Sequence, residues 1–91
     1  MRYLQCDWEH NSPRLPVTVY AEFDDEGWET RKVEVHPSGV LTYANSHTAT
    51  GSTRLADQKL DFEQALKGTA SLKVNHLSKN RFNEIWSQAT G

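Results

Sequence analysis

A single cysteine, Cys6, leaves this chain without a partner for an internal disulfide, so its core must hold without a covalent staple. No long apolar run is present, and no basic start leads into an apolar segment. That argues against a membrane span and a signal peptide, and makes a reducing, cytoplasmic location the expectation. The four histidines, His10, His36, His47 and His76, fall in no H-x-x-x-H or H-E-x-x-H spacing, and one cysteine cannot make C-x-x-C. Asp7, Glu9 and His10 offer three metal-ligand types close together, but adjacent polar residues on an exposed strand rarely converge on one ion. Thr50-Gly51-Ser52-Thr53 lacks the lysine and second glycine of a phosphate-binding loop. Nothing places a base or an oxyanion hole beside a serine or threonine nucleophile. The expectation is therefore a non-enzyme with no cofactor and no metal.

What is present is a run of strands. With 91 residues and no low-complexity tract, residues 1–91 have room for one core and one domain. Pro16–Ala44 holds three strand-like segments separated by Asp25-Glu26-Gly27 and Pro37-Ser38-Gly39. A three-residue hairpin loop is commonly a type I turn closed by a left-handed residue, and each loop here ends in Gly. Pro37 suits the turn because its φ is already fixed. These loops set Asp24 opposite Trp28 and His36 opposite Val40. Counting outward, Phe23 faces Glu29, Ala21 faces Arg31, Val19 faces Val33 and Val17 faces Val35. Val35 then faces Leu41 and Val33 faces Tyr43. One face would carry Val17, Val19, Ala21, Phe23, Val33, Val35, Leu41 and Tyr43. The other would carry Thr18, Tyr20, Glu22, Thr30, Lys32, Glu34, Thr42 and Ala44 in water. Arg31 and Glu29 fall on the apolar side and are expected to reach past its edge.

The flanks extend this plan. Residues 2–10 alternate Leu4, Cys6 and Trp8 with polar neighbours, which predicts a fourth strand with Cys6 as a buried structural thiol. Asp61 and Gly68 bracket a short helix, and Ser78 opens a last one in which Phe82, Ile85, Trp86 and Ala89 form one stripe. Ser71–His76 reads as extended, with no partner strand assigned. The fold expected is α+β: a four-stranded antiparallel meander with strands near 2–10, 17–24, 28–36 and 40–45. Helices near 62–67 and 79–89 would pack on one face.

Charge is uneven. Residues 1–36 carry four basic and eight acidic side chains, a balance of −4, and residues 37–91 carry six and four, a balance of +2. The acidic excess gathers at one hairpin tip, which repels phosphate backbones and attracts basic partners; the bland alternative is a charged corner that keeps the domain soluble. Tyr3, Tyr20 and Trp28 on the polar face could stack bases. Asp7, Glu9, Glu22 and Glu34 share that face with only Lys32 opposing, so no direct nucleic-acid binding is expected. Aromatics among carboxylates better suit a protein partner.

The segments M-R-Y-L-Q-C-D-W-E-H, P-V-T-V-Y-A-E-F-D-D-E-G-W-E-T-R-K-V-E-V, T-G-S-T-R-L and a closing F-x-x-I-W together resemble a family of small bacterial domains of unknown function. The likeness runs from Met1 to Trp86 and departs over residues 57–75, which lack the proline-containing stretch of the relatives. Stand-alone members of such families look like the immunity proteins of contact-dependent and polymorphic toxin systems. The resemblance implies a protein that neutralises a cognate toxin domain by tight stoichiometric binding, without naming the toxin; many such toxins are basic nucleases. The contact surface expected is Asp7, Glu9, Tyr20, Glu22, Asp24, Asp25, Glu26 and Trp28. The alternatives are a cytosolic adaptor or regulatory module and, third, a single-stranded nucleic-acid binder.

Overall fold

Both three-residue loops close where their glycines place them. In the computed structural model, which describes residues 1–91, β1 (Arg2–Trp8) leads to β2 (Thr18–Phe23), β3 (Glu29–Val35) and β4 (Leu41–Asn45). The Asp24 N–H donates to the Trp28 carbonyl at 2.9 Å and the His36 N–H to the Val40 carbonyl at 3.0 Å. Gly27 and Gly39 sit at φ 96° and 88°, where a side chain would be strained.

After α1 (Phe62–Lys67) the chain adds β5 (Leu72–His76), and α2 (Lys79–Thr90) ends it. The expected four-stranded meander is thus corrected to five strands, in the order β4-β3-β2-β1-β5. β5 pairs antiparallel with the free edge of β1, with Leu4 opposite His76 and Trp8 opposite Leu72. Both helix starts follow their caps: the Asp61 carboxylate accepts from the Gln64 N–H and the Ser78 hydroxyl from the Arg81 N–H.

The first hairpin departs from the expected register one step from its turn. Phe23 faces Glu29, but Glu22 then faces Arg31, because a bulge at this point leaves Thr30 without a partner of its own. Every later pair is displaced: Ala21 faces Lys32, Tyr20 faces Val33 and Val19 faces Glu34. The second hairpin keeps the expected pairs, Val33 with Tyr43 and Val35 with Leu41. The apolar residues of β2 therefore lie on the opposite side of the sheet from those of β3 and β4.

Each side of the sheet has its own helix, which corrects the expectation of helices on one face. On one side Leu4, Ala21 and Phe23 form a buried cluster, with Leu60, Phe62, Ala65, Leu66 and Val74 packed against it. On the other, Tyr3 and Val33 are buried together with Phe82 and Ile85 of α2. The Phe82 ring lies 5.2 Å from Tyr3, and Trp86 meets Tyr43 edge-on at 5.4 Å. Burying each such large side chain stabilises the docked helix by about 1.5–3 kcal/mol, which a helix this short requires. The β4 edge is covered by its following loop: Asn45 donates to Thr48 and Thr50 to Tyr43.

Candidate functional site

The β2–β3 hairpin tip is closed by its own hydrogen bonds. One carboxylate oxygen of Asp24, Oδ1, accepts from the N–H groups of Glu26 (2.9 Å) and Trp28 (3.0 Å), so Asp24 holds the turn. Behind it, the Leu60 N–H donates to the Gly27 carbonyl at 2.9 Å, tying the loop before α1 to the turn. Three side chains are presented outward. Asp25 is 95% exposed, with the N-terminal ammonium 3.4 Å from its carboxylate. Glu26 is exposed beside it. Trp28 keeps 39% of its surface, with the Lys59 ammonium 5.8 Å from its ring centre.

Glu22 is not on that surface. The bulge turns it beneath α2, where only 5% of the residue is exposed. Arg31 grips it bidentately: Nε donates to Oε1 at 2.8 Å and Nη2 to Oε2 at 2.6 Å. The Thr30 hydroxyl donates to the same Oε1 at 2.7 Å, and Arg31 Nη2 also donates to Asn83 of α2 at 3.0 Å. The guanidinium lies 4.8 Å from the Phe82 ring centre and 5.1 Å from that of Trp86. The Arg31 hydrogen bonds hold the Glu22 carboxyl down at about 2, against the opposing effect of burial. Arg31 is raised in return by Glu22. The Tyr3 hydroxyl is raised by burial first and by the Glu22 carboxylate second. This cluster fastens α2 to the sheet.

Asp7 and Glu9 lie at the other end of the sheet. Asp7 pairs with Thr18, six residues from Asp24, which separates it from the tip by about 20 Å of strand. Its carboxylate accepts from the Gln5 amide at 3.2 Å and the Thr18 hydroxyl at 3.2 Å. Glu9 is exposed and Tyr20 half-buried on the α2 side. His10 is engaged in its loop, in hydrogen-bond contact with the Pro16 carbonyl at 2.7 Å and accepting from the Ser12 N–H at 3.0 Å. The eight expected contact residues thus divide into an exposed tip (Asp25, Glu26, Trp28), its turn-holding residue (Asp24), a buried anchor (Glu22) and a distant group (Asp7, Glu9, Tyr20).

Two further features carry no sequence motif. A hydrogen-bonded chain runs across the β3–β4 hairpin: His36 Nε2 to the Thr42 hydroxyl at 2.8 Å, Thr42 to the Thr53 hydroxyl at 2.6 Å, and Thr53 to the Glu34 carboxylate. Thr53 is 1% exposed, so these bonds pin the Thr50–Arg54 loop to the sheet. On the α1 side, between the sheet, Leu60 and Ala65, an open cavity of about 310 Å³ is lined almost wholly by apolar side chains, with Cys6 among them. Cys6 is half-buried, and burial, followed by the charges of Asp7 and Glu29, pushes its thiol up. Glu29 and Lys32 close on each other at the rim, 2.9 Å apart. The alternation of Leu4, Cys6, Ala21 and Phe23 was the only sequence signal for this side. A cavity arises from packing between distant segments and has none.

The family model described as a domain of unknown function (DUF6881) matches residues 2–91. No curated protein and no solved structure gives a match to the chain.

Proposed function

The chain belongs to the DUF6881 family, and we propose that it is an immunity protein, neutralising a cognate bacterial toxin domain by tight stoichiometric binding. The observation that supports this reading is the preorganised tip. An aromatic anchor and two exposed carboxylates, Asp25 with the N-terminal ammonium beside it, are held on a turn fixed by Asp24, Gly27 and Leu60. A turn already held by its own hydrogen bonds has less conformational freedom to lose on binding, and its carboxylates steer basic partners. A basic nuclease domain is the partner such a surface would meet, its positive substrate groove attracting Asp25 and Glu26. Trp28 supplies the apolar contact that slows dissociation.

The test is binding to the product of the adjacent reading frame, with growth rescue when both are expressed. The charge-reversal variant Asp25→Lys/Glu26→Lys leaves Glu22 and Asp24 in place and so keeps the fold. It is expected to slow association about tenfold and to flatten its salt dependence. Unchanged association at every ionic strength would remove the tip from the contact surface. Binding without growth rescue would favour the adaptor or regulatory reading over immunity.

A further inference from the structure

The cavity on the α1 side is a second candidate for recognition, independent of the tip. It opens between the β1, β2 and β5 faces below and Leu60 and Ala65 above. Its volume of about 310 Å³ falls at the lower end of the range of small-molecule pockets. Nine of its eleven lining residues are hydrophobic. The two charged ones neutralise each other: Lys32 Nζ lies 2.9 Å from Glu29 Oε1 and donates to the Arg54 carbonyl at 3.0 Å, while the Glu29 carboxylate also accepts from the Ala56 N–H at 2.8 Å. No free charge is left to recognise an ionic group, and the rest of the lining is apolar. Helix α1, which roofs one side, has no fully buried residue, so the roof is lightly fastened.

We propose that this cavity binds a neutral, predominantly hydrocarbon small molecule, seated on Leu4, Val19, Ala21 and Val74 with Cys6 at its wall. Neutrality follows from the mutual pairing of Glu29 and Lys32. The size follows from the volume, and the hydrocarbon character from the lining.

Cys6 is the chain's sole cysteine and therefore a built-in reporter. The full chain is treated with methyl methanethiosulfonate while decan-1-ol or decanoate is titrated in, and displacement of N-phenyl-1-naphthylamine fluorescence gives a readout that does not use the thiol. Decan-1-ol at ten times its dissociation constant is expected to slow Cys6 modification about tenfold and to displace the dye, with decanoate markedly weaker. Ala65→Leu, a substitution favourable to helix α1, fills the cavity from above and is expected to abolish both effects while leaving the circular dichroism unchanged. Val19→Ile, filling it from the sheet, is the second variant and is expected to weaken both. Equal protection by decanoate would overturn the neutral assignment. A modification rate that depends on protein concentration and not on decanol would show a second copy covering the cavity, and would overturn the proposal. So would dye binding that survives both filling variants.

Discussion

Replacing Glu22 with Gln tests the anchor between the sheet and α2. The Glu22 carboxyl titrates at about 2 in the folded protein, against an ordinary value of 4.5. That difference corresponds to about 3 kcal/mol of stability held by the ionised pair. Solvent screens little of it, because the side chains of Glu22 and Arg31 are only 6% and 24% exposed. As pH falls below 4.5 the unfolded chain takes up a proton that the folded chain refuses, so unfolding gains ground. The contribution is complete above about pH 5, declines through the window between the two values and is gone near pH 2. Glu22→Gln keeps the shape and one acceptor but leaves the Arg31 guanidinium among Phe82, Trp86 and Asn83 without a counter-charge. Urea unfolding of both proteins from pH 7 to pH 2 is the assay. The expected gap is about 3 kcal/mol at pH 7, closing toward zero at pH 2. A gap of equal size at both ends would mean that the loss is one of packing, and the electrostatic account would be refuted.

Two further substitutions probe how the helix and the turn are held. Phe82→Ala removes a fully buried ring that contacts Tyr3 and Arg31, and is expected to cost about 3–5 kcal/mol in urea unfolding. Gly27→Ala and Gly39→Ala form a matched pair, both at positive φ. A methyl group at Gly27 would meet the Leu60 carbonyl oxygen at 2.8 Å, whereas at Gly39 nothing lies within 4 Å. Gly39→Ala is expected to cost about 1 kcal/mol of backbone strain, and Gly27→Ala clearly more, with loss of protection at the Leu60 amide in hydrogen exchange. Equal costs at the two sites would contradict the close approach of the loop to the turn.

The turns were legible in the sequence and the faces were not, for a definable reason. Loop length and terminal glycines act locally, so Asp24–Trp28 and His36–Val40 closed as expected. Extending the count outward relied on one side of the sheet facing water, where a one-residue slip would expose the apolar set. Here both sides are covered. The slip at Thr30 moves Val19, Ala21 and Phe23 from beneath α2 to beneath α1, and they are sheltered either way. Hydrophobic pattern cannot choose between registers when both faces are roofed. β5 was hidden differently: five residues of alternation are weak alone, and its partner β1 lies at the other end of the chain.

The sequence held one clue to the bulge, which bears on how the candidate site is read. In the regular register Arg31 and Glu29 sat on the core side with Val33 and Val35, a local conflict that a well-folded sequence resolves somewhere. The bulge resolves it by bringing Glu22 opposite Arg31, whose guanidinium also donates to Asn83, so a residue that looked like a misfit and an exposed carboxylate become the fastening of α2. The same step shrinks the acidic surface. Glu22 and Asp24 serve the fold, and Asp7 and Glu9 sit at the far end. Of the proposed contact residues at the tip, Asp25, Glu26 and Trp28 are the exposed ones. A compact patch of two charges and one aromatic ring can steer and anchor an interface, but it falls short of the 800 Å² or so that a stable complex covers on each side. Any tight partner must therefore also contact ground beside the tip, and the nearest is the Asp57–Asp61 loop, whose Lys59 already reaches toward the Trp28 ring.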